Sequence, residues 1–381
     1  MDAMDRMDRI APVACRLYPE SMSLSASHTS FYLEIIKGER TGLAAGLIRA
    51  GLAVPEYLLW LPASAAAKYY RLHGPVKPYR APCPVISVGN VTAGGTGKTP
   101  MVEWLARWLK ANHRRPAVLS RGYRATSGTS NDESQLLSSH LGDVPVLTGK
   151  DRARSARIAL AQKLANVFVL DDGFQHWPMA RDLDVVLIDG LLPFGGGHLL
   201  PRGLLREPVS ALKRAGVIVV TRTDLVPSER LREIRDAVAS LNPSAPIVES
   251  AHVPVGLAAA EAAANRPESL DLPSIRDKTL LLFSGIGNPE GFEKTAASLG
   301  CTVAGKFRFR DHHRYFDHEL TELQRRAERA GCDAVLTTEK DIVKIGRCWN
   351  GRVPLLALKV EIRITAGEDA LNGLLLDTIR H

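Results

Sequence analysis

Short apolar runs alternate with helical periodicity between residues 85 and 241, and a glycine-dense turn separates the first run from a helix opening on Lys98-Thr99. Upstream, an apolar stretch carries aromatic and basic residues. Together these predict an α/β fold: a doubly wound, mostly parallel sheet of the P-loop NTPase kind, a second and smaller C-terminal α/β domain, and an N-terminal helical segment at a membrane interface.

At 381 residues the chain is long enough for about two domains, and 45% hydrophobic with 24% charged residues marks an ordinary folded protein. The excess of 49 Lys+Arg over 41 Asp+Glu, a net +8, suits an anionic partner such as a nucleotide or an acidic membrane surface. Basic runs interleaved with aromatics are missing, so nucleic acid is not expected as a partner. Cys15, Cys83, Cys301, Cys332 and Cys348 form no C-x-x-C pair, which argues against a zinc site or a disulfide framework and for a reducing compartment.

Residues 1–25, beginning MDAMDRMDRI, have mixed charge and no apolar signal core, so they read as an extension outside the fold, with Met4, Met7 and Met22 as alternative starts. Residues 26–80 form the N-terminal helical, membrane-associating segment. Its apolar stretch, Gly42 to Tyr70, is interrupted by Arg49, Pro55, Glu56 and Pro62, so no run approaches the roughly 20 residues of a spanning helix. Tyr57, Trp60, Tyr69 and Tyr70 among leucines, with Arg49, Lys68 and Arg71 alongside, suit a helix lying in the interface, and a buried helix pair fits the composition equally well.

Residues 81–250 are expected to be the nucleotide-binding domain. In VISVGNVTAGGTGKT, from Val85 to Thr99, a strand feeds a turn rich in glycine, which allows positive φ and close approach of successive amides to one anion. The helix N-terminus adds its dipole, Lys98 reaches the β and γ phosphates, and the Thr99 hydroxyl ligates magnesium. Thr92, Ala93, Gly94, Gly95, Thr96, Gly97, Lys98 and Thr99 are the triphosphate-binding candidates, with Thr92 standing where the P-loop pattern has glycine.

Further strands are read at Ala117 to Ser120, Val144 to Leu147, Val167 to Leu170, Asp184 to Ile188 and Val217 to Thr221, with helices at Pro100 to Asn112, Arg152 to Leu164 and Glu229 to Ser240. Polar groups gather at the strand ends: Arg121, a polar loop with Asp132 and Glu133, Asp171-Asp172, Asp189 and Asp224. Paired carboxylates downstream of a P-loop suit Mg²⁺, a hard cation, so Asp171 and Asp172 are the metal candidates with Thr99. TRTD, from Thr221 to Asp224, only loosely matches a guanine-reading N-K-x-D element and is set aside.

Ala- and Pro-rich residues 251–275 read as a linker, and 276–381 as the smaller C-terminal domain. There RFRDHHRYFDHE clusters Asp311, His312, His313 and His318 without helical ligand spacing, so a histidine oriented by a carboxylate is the alternative to a metal site or a surface loop.

SVGNVTAGGTGKTP, LSRGY, DDGFQH, RDLDVVLID, LLPRGLLREP, GIGNPEGF, FRDHH and TTEKD occur in an order that resembles the tetraacyldisaccharide 4′-kinase family. The resemblance implies transfer of the ATP γ-phosphate, with Mg²⁺, to the 4′-hydroxyl of a tetraacylated glucosamine disaccharide 1-phosphate. It also implies residence at the cytoplasmic face of a bacterial inner membrane, with no obligate protein partner expected. By the same resemblance Asp132 and His312 act as the catalytic pair beside Lys98, with Asp311 or His313 as alternatives, and Arg206, Arg121 and Arg202 bind substrate. The rival class is a P-loop ATPase switch of the partition or metal-insertion type, which carries Lys where this chain has Ala93.

Overall fold

The computed structural model describes residues 34–36, 40–73, 78–122, 132–260, 269–311, 313–345 and 348–380, with 59–73, 132–133 and 269 by backbone alone. The expected extension 1–25, the loop before Asp132, the Asp132 side chain and His312 therefore lie outside the described residues.

Strand β1 (Val85–Asn90) is buried along its whole length because it runs inside the sheet, parallel to β4 (Val167–Asp171) on one side and β5 (Leu183–Asp189) on the other. Beyond β4 lie β2 (Pro116–Ser120) and β3 (Val146–Thr148), and beyond β5 lie β6 (Val217–Thr221) and β7 (Ile247–Ala259), all parallel. The chain thus fills one side of β1 and then the other. That reversal opens a crevice at the carboxyl end of β1, where open α/β sheets bind ligands.

Both faces of this half are covered. Val185 and Leu187 of β5 join a core with α2 (Lys98–Ala111) and α3 (Asp132–Leu141), whereas Val186 and Ile188 pack with α5 (Ser228–Leu241). The α4 helix (Arg152–Ala161) packs Ala156 and Ala159 against Leu119 and Phe168.

The second half continues the same sheet. Strands β9 (Thr279–Ser284), β10 (Thr302–Arg308), β11 (Ala334–Thr338) and β12 (Leu355–Ala366) run parallel in the order β10-β9-β11-β12. A long antiparallel pairing of β12 with β7, from Leu356↔Ala259 to Ala366↔Glu249, joins the halves, and β8 (Ser269–Leu270) pairs with β7. The result is one twelve-stranded, mixed but mostly parallel sheet. Helices α6 (Pro289–Ala297), α7 (Asp317–Arg329) and α8 (Glu339–Ile345) belong to this half.

Two observations depart from the expected boundaries. The stretch read as a linker from residue 251 begins inside β7. The last helix, α9 (Glu368–Arg380), returns to the first half, burying Leu371, Leu375 and Ile379 in the core that holds Met101 and Leu105.

Upstream, α1 (Leu43–His73) is a single helix of 31 residues and not a buried pair. Its side chains Leu43, Leu47, Val54, Tyr57 and Leu58 are 60–88% exposed, and no described helix is long and apolar enough to cross a membrane. Glu56 on this helix is buried, accepting hydrogen bonds from the Leu199 amide (2.9 Å) and Arg202 Nη1 (3.3 Å), and so anchors α1 to the loop after β5.

Candidate active site

The carboxyl ends of β1, β2 and β4 and the start of α2 face residues of the second half across a cleft of about 1020 Å³. Gly94 and Gly97 adopt φ of 114° and 90° in the turn ahead of α2. A Cβ on Gly97 would come within 2.8 Å of the His252 ring, so glycine is required there for space as well as for backbone conformation.

Lys98 opens α2 and points back along β1, where its Nζ donates to Asn90 Oδ1 at 3.2 Å and lies 3.6 Å from Asp172 Oδ1. The Asn90 amide donates to the Thr92 carbonyl at 2.7 Å, and Gln175 Nε2 donates to the Asn90 carbonyl at 2.8 Å. Asn90 therefore ties the lysine to the strand end. Arg206 Nη1 donates to both Asp172 carboxylate oxygens, at 2.9 and 3.2 Å, while Ser120 Oγ donates to Asp171 at 3.1 Å.

These contacts set the charges. Burial lowers the Lys98 pKa, with Asp172 opposing and Arg206 adding to the shift. Burial works against ionisation of Asp172, but Lys98 and Arg206 outweigh it and hold the carboxyl below its ordinary value. His176, also in the cleft, is pushed down to about 4 by burial and by Arg152 and Arg181, so its ring is neutral near pH 7.

Thr99, Asp171 and Asp172 line the same cleft. Among the described residues no group of three or more His, Cys, Asp or Glu is arranged to hold a metal. Magnesium beside a nucleotide takes one or two carboxylates and fills its octahedron with phosphate oxygens and water, and the Thr99 hydroxyl with the Asp171 and Asp172 carboxylates is a donor set of that kind.

The far side of the glycine turn is held by Arg222, which follows β6, and by the second half. Arg222 donates to the Gly95 carbonyl at 2.8 Å and pairs with Asp189 at 2.9 Å, and Asn288 Nδ2 donates to Asp189 at 2.7 Å. Gly287 packs so closely on Gly95 that a Cβ there would collide with the Gly95 amide nitrogen. Arg222 in TRTD is thus a staple for the loop, and Asp189 is a partner for Arg222 and Asn288. In TTEKD, Thr338 Oγ1 (2.7 Å) and the Gly285 amide (3.0 Å) both donate to Asp341, which fixes the GIGN turn, while Lys340 lines the cleft.

Of the expected site residues, Ala93 to Thr99, Asp171, Asp172, Arg206 and Arg121 all line the cleft. Thr92 does not: it is buried and bridges to Leu205. Arg202 is drawn away to Glu56. Asp132 is the first residue of α3, and Asp311 lines the cleft from the other half. His313 has Nε2 2.7 Å from Glu319 Oε2 and its ring stacked on Phe309, and it is not among the residues that line the cleft. Asn90, Arg152, Gln175, His176 and Lys340 were not singled out by residue type. The quoted motifs SVGN, DDGFQH and TTEKD contain all but Arg152.

The family model for tetraacyldisaccharide-1-P 4′-kinase matches residues 49–380. A tetraacyldisaccharide 4′-kinase from Anaeromyxobacter sp. (strain Fw109-5) is 40% identical over 350 residues, covering 88% of this chain and 92% of that protein. One from Syntrophus aciditrophicus is 41% identical over 308 residues, covering 75% and 81%. The crystal structure of "apo" form LpxK from Aquifex aeolicus in complex with ATP superposes with a TM-score of 0.67 at 28% identity, covering 87% of this chain and 99% of that one. A family model spanning most of the chain, and relatives at this identity over most of both lengths, establish that the chain belongs to the tetraacyldisaccharide-1-P 4′-kinase family.

Proposed function

We propose a division of labour in the cleft for the reaction of this family, transfer of the γ-phosphoryl group of ATP to the 4′-hydroxyl of a tetraacyldisaccharide 1-phosphate, which gives lipid IVA. The observation that carries it is the Lys98, Asp172 and Arg206 constellation at the glycine turn, faced across the cleft by Asp311 and Lys340.

Phosphoryl transfer asks for alignment and charge neutralisation more than covalent chemistry. The turn from Ala93 to Thr99 cradles the triphosphate, and Lys98 neutralises its β and γ oxygens. Thr99, Asp171 and Asp172 would hold Mg²⁺, which would supply further charge neutralisation when bound. Asp172 is shared with Lys98 and Arg206, so arrival of a polyphosphate redistributes these contacts and frees Arg206, with Arg121, to hold the acceptor. A sugar hydroxyl attacks once its proton is accepted, and Asp132 with His312 takes it. Walls contributed by both halves exclude water that would otherwise hydrolyse ATP.

Incubation with ATP, Mg²⁺ and the tetraacyl disaccharide 1-phosphate is expected to add one phosphate to the lipid, read by mass. ATP hydrolysis at the same rate without lipid, and no phosphorylated lipid, would instead support the switch-type ATPase.

The exposed apolar side chains of α1 support a helix lying in the membrane surface that supplies the lipid acceptor. Leu47 and Leu58 are 70% and 66% exposed, so Leu47→Glu and Leu58→Glu remove no core packing. Each is expected to weaken binding to anionic phospholipid vesicles about tenfold with an unchanged Tm. Sedimentation with vesicles at wild-type affinity would refute the interfacial placement.

A further inference from the structure

One cluster at the cleft wall takes no part in these roles. His140, next to the end of α3, has Nδ1 2.9 Å from Glu103 Oε1 and Nε2 3.1 Å from Glu339 Oε1. Glu103 lies on α2, the helix that begins at Lys98, and Glu339 is the first residue of α8 in the second half. Both ring nitrogens therefore face carboxylate oxygens. A neutral imidazole has one N–H and would turn a lone pair towards one of them, so the ring is an imidazolium donating twice. Consistent with this, its pKa is raised to about 10: burial opposes the charge, and the hydrogen bonds to Glu103 and Glu339 prevail.

The bridge joins three helices that each carry part of the site. The α2 helix presents Lys98 and Thr99, α8 presents Lys340, and α3 begins at Asp132. Leu137 and Leu141 hold α3 in the core with Met101 and Leu105, but apolar contacts are non-directional and resist sliding or rotation weakly. Charge-assisted hydrogen bonds at both ring nitrogens are directional and fix the helix's register and rotation. A cation near the helix C-terminus is also favoured by the helix dipole.

We infer that His140 is a positioning residue for the kinase reaction: bridging Glu103 and Glu339, it locks α3 between the P-loop helix and α8 and so sets where Asp132 meets the acceptor hydroxyl. This rests on Asp132 acting with His312 as the proton acceptor in the proposed function. His140 follows Asp132 by eight residues, about 12 Å along the helix, so it acts through α3 and not by touching substrate.

The test is a double-mutant cycle of His140→Gln, which keeps a donor and removes the charge, with Asp132→Ala. His140→Gln is expected to lower kcat roughly tenfold to a hundredfold, with KM for ATP and Tm little changed. In the Asp132→Ala background it is expected to cost nothing further. Multiplying losses, or a normal kcat for His140→Gln alone, would overturn the positioning role. Near-normal turnover in Asp132→Ala alone would instead remove the base assignment on which the inference rests. Should His140→Gln fail to fold, Glu339→Gln breaks the same bridge from the other side and is read by the same cycle.

Discussion

Lys98→Ala is expected to lower phosphoryl transfer by about 10³-fold or more while the protein stays folded. The side chain is 17% exposed and faces the cleft, so its removal enlarges the cleft and opens no void inside the sheet. Asp172 keeps Arg206 as a partner at 2.9 Å, so no carboxylate is left buried and unpaired. The function, by contrast, loses the cation that opens the helix after the glycine turn. Burial has already lowered the pKa of this ammonium, and a polyphosphate would restore the charge compensation that water no longer provides. Transfer from labelled ATP to the lipid disaccharide is the assay, with thermal unfolding as the control. Near-normal transfer in a folded variant would sink the placement of the triphosphate.

The P-loop half was legible because its strands are buried on both faces. VISVGN, VFVLD and VIVVT are near-continuous apolar runs, and a glycine turn before Lys-Thr has few other uses. The seam between the halves was not legible for the opposite reason. The strand from Ile247 to Ala259, IVESAHVPVGLAA, mixes small, polar and proline residues, and what makes it a strand is its long pairing with a segment about a hundred residues later. Propensity reads that composition as a linker.

Within the site, residue type and motif identified the cleft, while partners distant in sequence decided which side chains remain in it. Arg202 looked like its neighbour Arg206 until Glu56, 146 residues earlier, claimed it. Arg222, set aside as a poor base-reading element, grips Gly95 because the turn of the second half packs there. His313 had a local signal: Glu319, at the third position of α7, also accepts from the Phe316 amide at 3.0 Å, the pattern of a helix cap that draws a nearby histidine in.

That commitment of His313 sharpens the last expectation. Asp132→Ala and His312→Ala are each expected to reduce turnover about 10²- to 10⁴-fold, and the double variant is expected to lose little more than either alone. Asp132 stands at the start of α3, where the positive end of the helix dipole favours a carboxylate. Such a carboxylate is a weak base by itself and a good orienter of an imidazole, which is why the two residues should fail as one unit. Asp311, in the cleft and next to His312 in sequence, is the discriminating control. If Asp311→Ala shows that shared loss with Asp132→Ala while His312→Ala multiplies with it, the proton leaves through the carboxylate and not the ring. If all three losses multiply, the residues serve separate steps, and the acceptor hydroxyl is activated by proximity to the phosphate and its counter-charges alone.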